Sequence, residues 1–169
     1  MKFNVFSALT AFLLVLSFAA PSLARDTKIA VVDMGEVIFN SSEGKRAQEA
    51  IKRKSEELGR DLDRRRQDFG KQLEEYQKQA AVMKEDARKR KEEEFGRKEM
   101  ELRQKVGASQ QELAKLEEKE LKPLYEKFAR VMEQISRDGK YTIILDKRVV
   151  IGFDPGIDIT EQVKNAFGR

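Results

Sequence analysis

The 169-residue chain has no cysteine, no histidine and no tryptophan, and only three prolines. Without Cys or His there is no Ser-His-Asp or Cys-His nucleophile system, and no thiolate or imidazole metal site. Disulfides are equally excluded, so stability has to come from packing. Attachment to a membrane through an acylated cysteine is excluded as well. Gly44-Lys45 fails as a phosphate loop: Phe39 stands where the first glycine belongs, and Arg46 where Ser or Thr should follow. A carboxylate-only or Ser-Lys enzyme needs a rigid concave pocket, which a chain dominated by long charged helix does not offer. The expectation is a protein that is not an enzyme and uses no cofactor.

Charge is what the chain has in abundance. Charged residues make up 38%, with 34 Lys and Arg against 30 Asp and Glu, a formal net charge of +4. They concentrate in a helical pattern from Glu43 to Asp138. Short β-type runs flank it: Ile29–Val32 before, then Tyr141–Leu145 and Val149–Ile151 after. So long a helical excursion cannot fold back into a core made from so few flanking residues. It has to project, and a projecting arm on a small body is built to hold something.

The arm reads as one antiparallel helical hairpin over residues 43–138. Ser41 and Ser42 are N-cap residues for its first helix. Asn40-Ser41-Ser42 also fits a glycosylation sequon, but the helix start is the better reading. Ile51, Leu58, Leu62, Phe69, Leu73, Tyr76, Ala80 and Met83 recur mostly at spacings of three and four. Phe95, Leu102, Val106, Ser109, Leu113 and Leu116 keep a similar rhythm on the return. Narrow apolar stripes on charged helices are coiled-coil seams. Gly59 mirrors Gly107 and Gly70 mirrors Gly96 about Met83, which puts the tip near residues 82–86 and glycines at matched heights. Each limb, about 40 residues, is then roughly 60 Å long. Pro123 costs a helical hydrogen bond and predicts a kink or restart at the base. Beyond it, Leu124, Phe128, Val131 and Ile135 form a stripe suited to packing on the body.

The N-terminus predicts export. Lys2 precedes an apolar run from Val5 to Ala20, and Ser22-Leu23-Ala24 places small residues at the positions a signal peptidase reads. The expected signal peptide is residues 1–24, cleaved after Ala24; the alternative, an uncleaved membrane anchor, is disfavoured because the apolar run is short for a span of roughly 20 residues. Residues 25–42 and 139–169 form the β body, with strands, a short helix around Met34 to Phe39, and a last helix, Thr160 to Phe167. Asp158-Ile159-Thr160-Glu161 predicts a capping box for that helix. A body of fewer than roughly 60 residues without disulfide or metal makes a marginal core, and its strands expose unpaired edges. Oligomerisation through Ile29, Val31, Ile143, Leu145, Val149 and Ile151 solves both problems.

Lys28-Ile29-Ala30-Val31-Val32-Asp33-Met34, the charged hairpin, Tyr141-Thr142-Ile143-Ile144-Leu145-Asp146 and the closing Asp158-Ile159-Thr160 together resemble the Skp/OmpH family of periplasmic chaperones. The resemblance covers essentially the whole mature chain. It implies an α+β fold: a small β-barrel body assembled between three chains, each with a projecting hairpin arm. It also implies an ATP-independent periplasmic holdase that keeps unfolded outer-membrane proteins in the cavity between arms. Val82 and Met100, apolar and off the main seam, are candidate client contacts. Arg88-Lys89-Arg90-Lys91 is a candidate patch for anionic lipid or lipopolysaccharide, although Glu92-Glu93-Glu94 offers it helical ion-pair partners. Nucleic acid is not an expected partner, because basic and acidic residues alternate along the arm. The competing readings are a structural coiled-coil spacer and a membrane-binding adaptor of the cell envelope. The arm glycines and Pro123 count against the first, and the lack of a large apolar face against the second.

Overall fold

The computed structural model describes residues 27–168, so the signal-peptide reading and its cleavage site lie outside the described residues. The chain runs β1 (Ile29–Val32), α1 (Met34–Asn40), α2 (Ser42–Gln79), α3 (Glu85–Gly139), β2 (Ile143–Asp146) and α4 (Thr160–Phe167). β1 and β2 pair in parallel, with Ile29 opposite Ile143 and Val31 opposite Leu145. Parallel neighbours need a long crossover. Here the crossover is the entire helical pair, so the two halves of a small body are joined through almost a hundred residues of helix.

Local chemistry sets the breaks. Asp33 caps α1 by accepting the Glu36 backbone N–H at 2.8 Å. The Ser41 hydroxyl donates to the Ile38 carbonyl at 2.6 Å and accepts from the Gly44 N–H at 2.9 Å, closing α1 and opening α2 with one side chain. That junction leaves no room for a Cβ at Gly44, which would sit 2.0 Å from the Ile38 carbonyl oxygen. The outer turn is a single 3-10 turn, Ala80–Val82, followed by extended Met83 and Lys84. α3 then starts without a side-chain cap but with Glu85 and Asp86 in its first turn, favourable at the positive end of the helix dipole. It ends where Lys140 turns left-handed at φ 53°.

The core sits in the body. Ala30, Val32, Val37, Ile38, Ala47, Leu124, Ile135, Ile159, Val163 and Phe167 form one buried cluster, flanked by Leu121, Phe128 and Val131. Apart from Ala47, α2 contributes nothing to it, and α3 contributes only from Leu121 onward. Between those points, among the described residues, the two helices meet only each other, running antiparallel. Lys54 pairs with Glu112 at 2.7 Å, Lys105 approaches Asp61 at 3.8 Å, and the Tyr76 hydroxyl donates to Glu92 at 2.9 Å. These contacts put Gly59 level with Gly107 and Gly70 level with Gly96. Every expected seam position is buried or half-buried, Leu58, Phe95 and Ser109 most deeply.

Four expectations need correction. α3 is continuous through Pro123, which overturns the restart half of the expected kink or restart. Leu121, Leu124 and Phe128, packed on the core around the proline, hold the helix across its one missing hydrogen bond. Val149–Ile151 is not a strand. The Asp146 carboxylate accepts from the Arg148 N–H at 2.8 Å and turns the chain into a 3-10 turn, Lys147–Val149. Among the described residues, no strand of the same chain lies beside Val150 and Ile151. The capping box is replaced by a different arrangement: Asp158 accepts the Thr160 N–H at 2.9 Å, while Glu161 pairs with Lys164 at 2.7 Å. Thr160 in turn accepts the Asp33 N–H at 3.0 Å, tying α4 to the end of β1. Finally, Val31 is buried at 1% exposure. The Ile159 N–H donates to its carbonyl at 2.9 Å, so its own chain already covers it.

Candidate functional site

No enclosed pocket dominates the described residues, and among them no group of acidic side chains is arranged to hold a metal ion. The surfaces that can meet another molecule are two: the outside of the helical pair and one face of the sheet.

On the helical pair, many charged side chains are engaged with each other at helical spacing, as Lys78 is with Glu74 at 2.6 Å and Arg103 with Glu99 at 3.1 Å. Such exposed pairs contribute little stability; they keep the faces solvated. Glu94 sits between Lys91 and Lys98, at 2.7 Å from each, and these ammonium groups hold its carboxyl down at about 2. Away from the base, two large apolar side chains stand outside this pattern. Val82 is 87% exposed in the outer turn and Met100 is 54% exposed on α3. Three of the four basic residues near the tip have acidic partners: Arg88 with Glu92, Lys89 with Glu85, and Lys91 with Glu94. Arg90 is exposed and carries no ion pair among the described residues.

On the sheet, strand alternation puts Ile29, Ile143 and Leu145 on one outward face, and all three are exposed. Val149 and Ile151 extend the apolar surface at 74% and 109% exposure. An open groove of about 550 Å³ runs beside β2, lined by Met34, Phe128, Met132 and Ile144 among others. The outer edge of β2 has no strand partner among the described residues. Exposed apolar side chains thus lie beside an open strand edge, an arrangement that another chain could cover.

The base that joins these surfaces is held by Lys127. Its ammonium pairs with Glu43 at 3.1 Å and lies 4.7 Å from the centre of the Phe167 ring, linking α2, α3 and α4. The Glu43 backbone N–H, then Lys127 and Ser42, lower the Glu43 pKa from 4.5 to about 2. Lys28 performs a similar closure at the end of α3: it donates to the Gly139 carbonyl at 2.9 Å and covers the Tyr141 ring at 4.3 Å. Neither lysine stands out in the sequence, where both are single cations among many.

The family model described as "Outer membrane protein (OmpH-like)" matches residues 28–167. The chain belongs to the OmpH-like family. Among solved structures, it is similar to a proposed outer membrane chaperone (OmpH-like) from Caulobacter crescentus. The two are 19% identical, each is covered over 84% of its length, and the TM-score is 0.69. That likeness supports an OmpH-like fold of long helices and a small sheet. No curated protein matches significantly. No described helix of this OmpH-like chain is long and apolar enough to cross a membrane.

Proposed function

We propose that this OmpH-like protein is an ATP-independent holdase chaperone of the periplasm, which keeps unfolded outer-membrane proteins from aggregating. The observation that carries the reading is how the apolar residues are divided. The deep core is confined to the body, while the long helical pair keeps only a thin seam and offers charged, solvated faces with scattered apolar side chains. A surface of that kind makes many weak contacts and no tight one, as an exported holder without a nucleotide site requires. In this reading the stretch of 43–138 between Ala47 and Leu121 is the projecting arm, its two ends pack with 25–42 and 139–169 in the body, and residues 1–24 direct export and are removed.

Assembly completes the cavity. Ile29, Ile143, Leu145, Val149 and Ile151, with the open edge of β2, support packing of bodies into a shared barrel, and the family resemblance implies three chains. Replacing Ile143 by Asp puts an unpaired charge into that interface and is expected to give a monomeric mass by light scattering. Val82 and Met100 are proposed client contacts, and the net positive charge draws acidic clients. The cations at Arg88–Lys91 are proposed to meet anionic lipid or lipopolysaccharide mainly through Arg90, since the others are paired.

The deciding experiment is turbidity of an unfolded β-barrel outer-membrane protein diluted from urea with the mature protein and no nucleotide. Suppressed aggregation is expected. Undiminished aggregation at saturating protein would sink the holdase reading in favour of a spacer.

A further inference from the structure

All three aromatic residues of the region where α2 and α3 pair alone gather at one level. Phe69 meets Phe95 edge-on with ring centres 5.9 Å apart, and Tyr76 lies tilted at 5.2 Å from Phe95. Two clefts open beside this cluster and share Gln72 as a wall. The lower one, about 230 Å³, includes Phe69 and Leu102, with Arg65 and Lys105 among its charged residues. The upper one, about 210 Å³, includes Tyr76, Met83 and Phe95, with Lys91 beside them. Both volumes fall below the roughly 300–1,000 Å³ of sites that enclose a cofactor-sized ligand. Each suits a single side chain.

The lining selects which side chain. Phe69, Tyr76 and Met83 are only half-buried, so part of their apolar surface remains open to a visitor. Ring edges and faces, a thioether and nearby cations each favour an aromatic ring over an aliphatic group of similar area. Asp68 and Glu101 offset Arg65, Lys98 and Lys105 around the lower cleft, which argues against a simple ion as the ligand. We propose that the level of Gln72 is a binding site for aromatic side chains of an extended, unfolded polypeptide, one ring per cleft. The proposal deepens the holdase reading and rests on it for the nature of the ligand. It turns part of a diffuse holding surface into a defined preference for aromatic-bearing segments.

The methionines provide separate reporters. After Met1 the chain has Met34, Met83, Met100 and Met132. Met83 lines the upper cleft, Met34 and Met132 the body groove, and Met100 is exposed on α3. The mature protein, carbon-13 labelled at methionine methyls, is titrated with an unstructured peptide bearing phenylalanines and with its twin in which each phenylalanine is alanine. The phenylalanine peptide is expected to shift the Met83 resonance saturably, and the twin to leave it in place. Gln72→Phe, which fills the shared wall with a ring, is expected to weaken that response about threefold to tenfold. A silent Met83, equal responses to both peptides, or a response confined to Met100 or to Met34 and Met132 would overturn the proposal. Should Gln72→Phe disturb the helical signal, the twin titration of the unaltered protein decides alone. A silent Met83 in a protein that still suppresses aggregation sinks the clefts only, whereas a responsive Met83 in a protein that fails to suppress it sinks the holdase reading only.

Discussion

The body and the helical pair are made from the same chain by opposite means. In the body, Phe167, Ile38 and Val163 are sealed from solvent by elements far apart in sequence, and β1 is fixed by β2 on one side and residues 158–159 on the other. In the pair, a thin seam is flanked by exposed ion pairs, and one seam hydroxyl, that of Ser109, is buried without a hydrogen-bond partner. Stability is therefore concentrated at the base, where changes are felt as lost packing. The pair, open on most sides, is expected to tolerate change better. The proposed holder would draw on that division between a packed anchor and solvated contact surfaces.

The largest effect should come from the anchor. Phe167→Ala removes a fully buried ring under Lys127 and is expected to cost about 3–5 kcal/mol in urea unfolding. Met100→Ala on the pair should cost under about 0.5 kcal/mol. Similar losses at the two positions would erase the contrast.

A single kind of substitution sharpens it further. Gly44→Ala forces a methyl group against the Ile38 carbonyl and is expected to destabilise by about 1–3 kcal/mol. At Gly59, Gly70, Gly96 and Gly107 an added Cβ meets no atom within 4 Å. There the same change is expected to stabilise by up to about 1 kcal/mol per site, through helix propensity. Thermal melts of the five single variants read out the sign. A neutral Gly44→Ala would mean that the α1–α2 junction relaxes freely.

The smallest effect separates two acids with similar depression but different reach. Glu43 and Glu94 both titrate at about 2 rather than 4.5. A carboxylate whose folded pKa is depressed contributes stability that is full above the unfolded value and lost as pH falls toward the folded one. Stability should therefore decline between pH 4.5 and about 2. Glu43→Gln should flatten part of the global decline, because Glu43 ties α2 to Lys127 of α3. Glu94→Gln should change only amide exchange near the outer end, since both its lysines lie on α3. Equal global effects would show that the ends of the pair are as tightly coupled as the base.

Much of the fold was legible in the sequence because it is local. Ser41 announces the start of α2, and the stripes from Ile51 to Tyr76 and from Phe95 to Leu116 the facing sides of α2 and α3. Thr160 to Phe167 is a helix with the expected bounds. What was misread depends on partners distant in the chain. Pro123 was read by its missing bond, not by the core that holds Leu121 and Leu124 around it. Val149–Ile151 has strand-forming residues but no strand of its own chain to join among the described residues. Val31 alternates like a surface residue, yet residues 158–159 cover it.

Periodicity and caps are properties of consecutive residues, so the sequence by itself determined that there are two long helical stretches with one narrow seam each, and where the first of them starts. Composition likewise excluded thiol, imidazole and disulfide chemistry before any fold was known. Only the tertiary structure decided that Gly44 is sterically required, that Lys127 and Lys28 close the two ends of the base, and that Phe69, Tyr76 and Phe95 meet around two clefts. Each of those depends on side chains brought together from separate turns or elements. Their chemistry is written in the chain, but their distance is not.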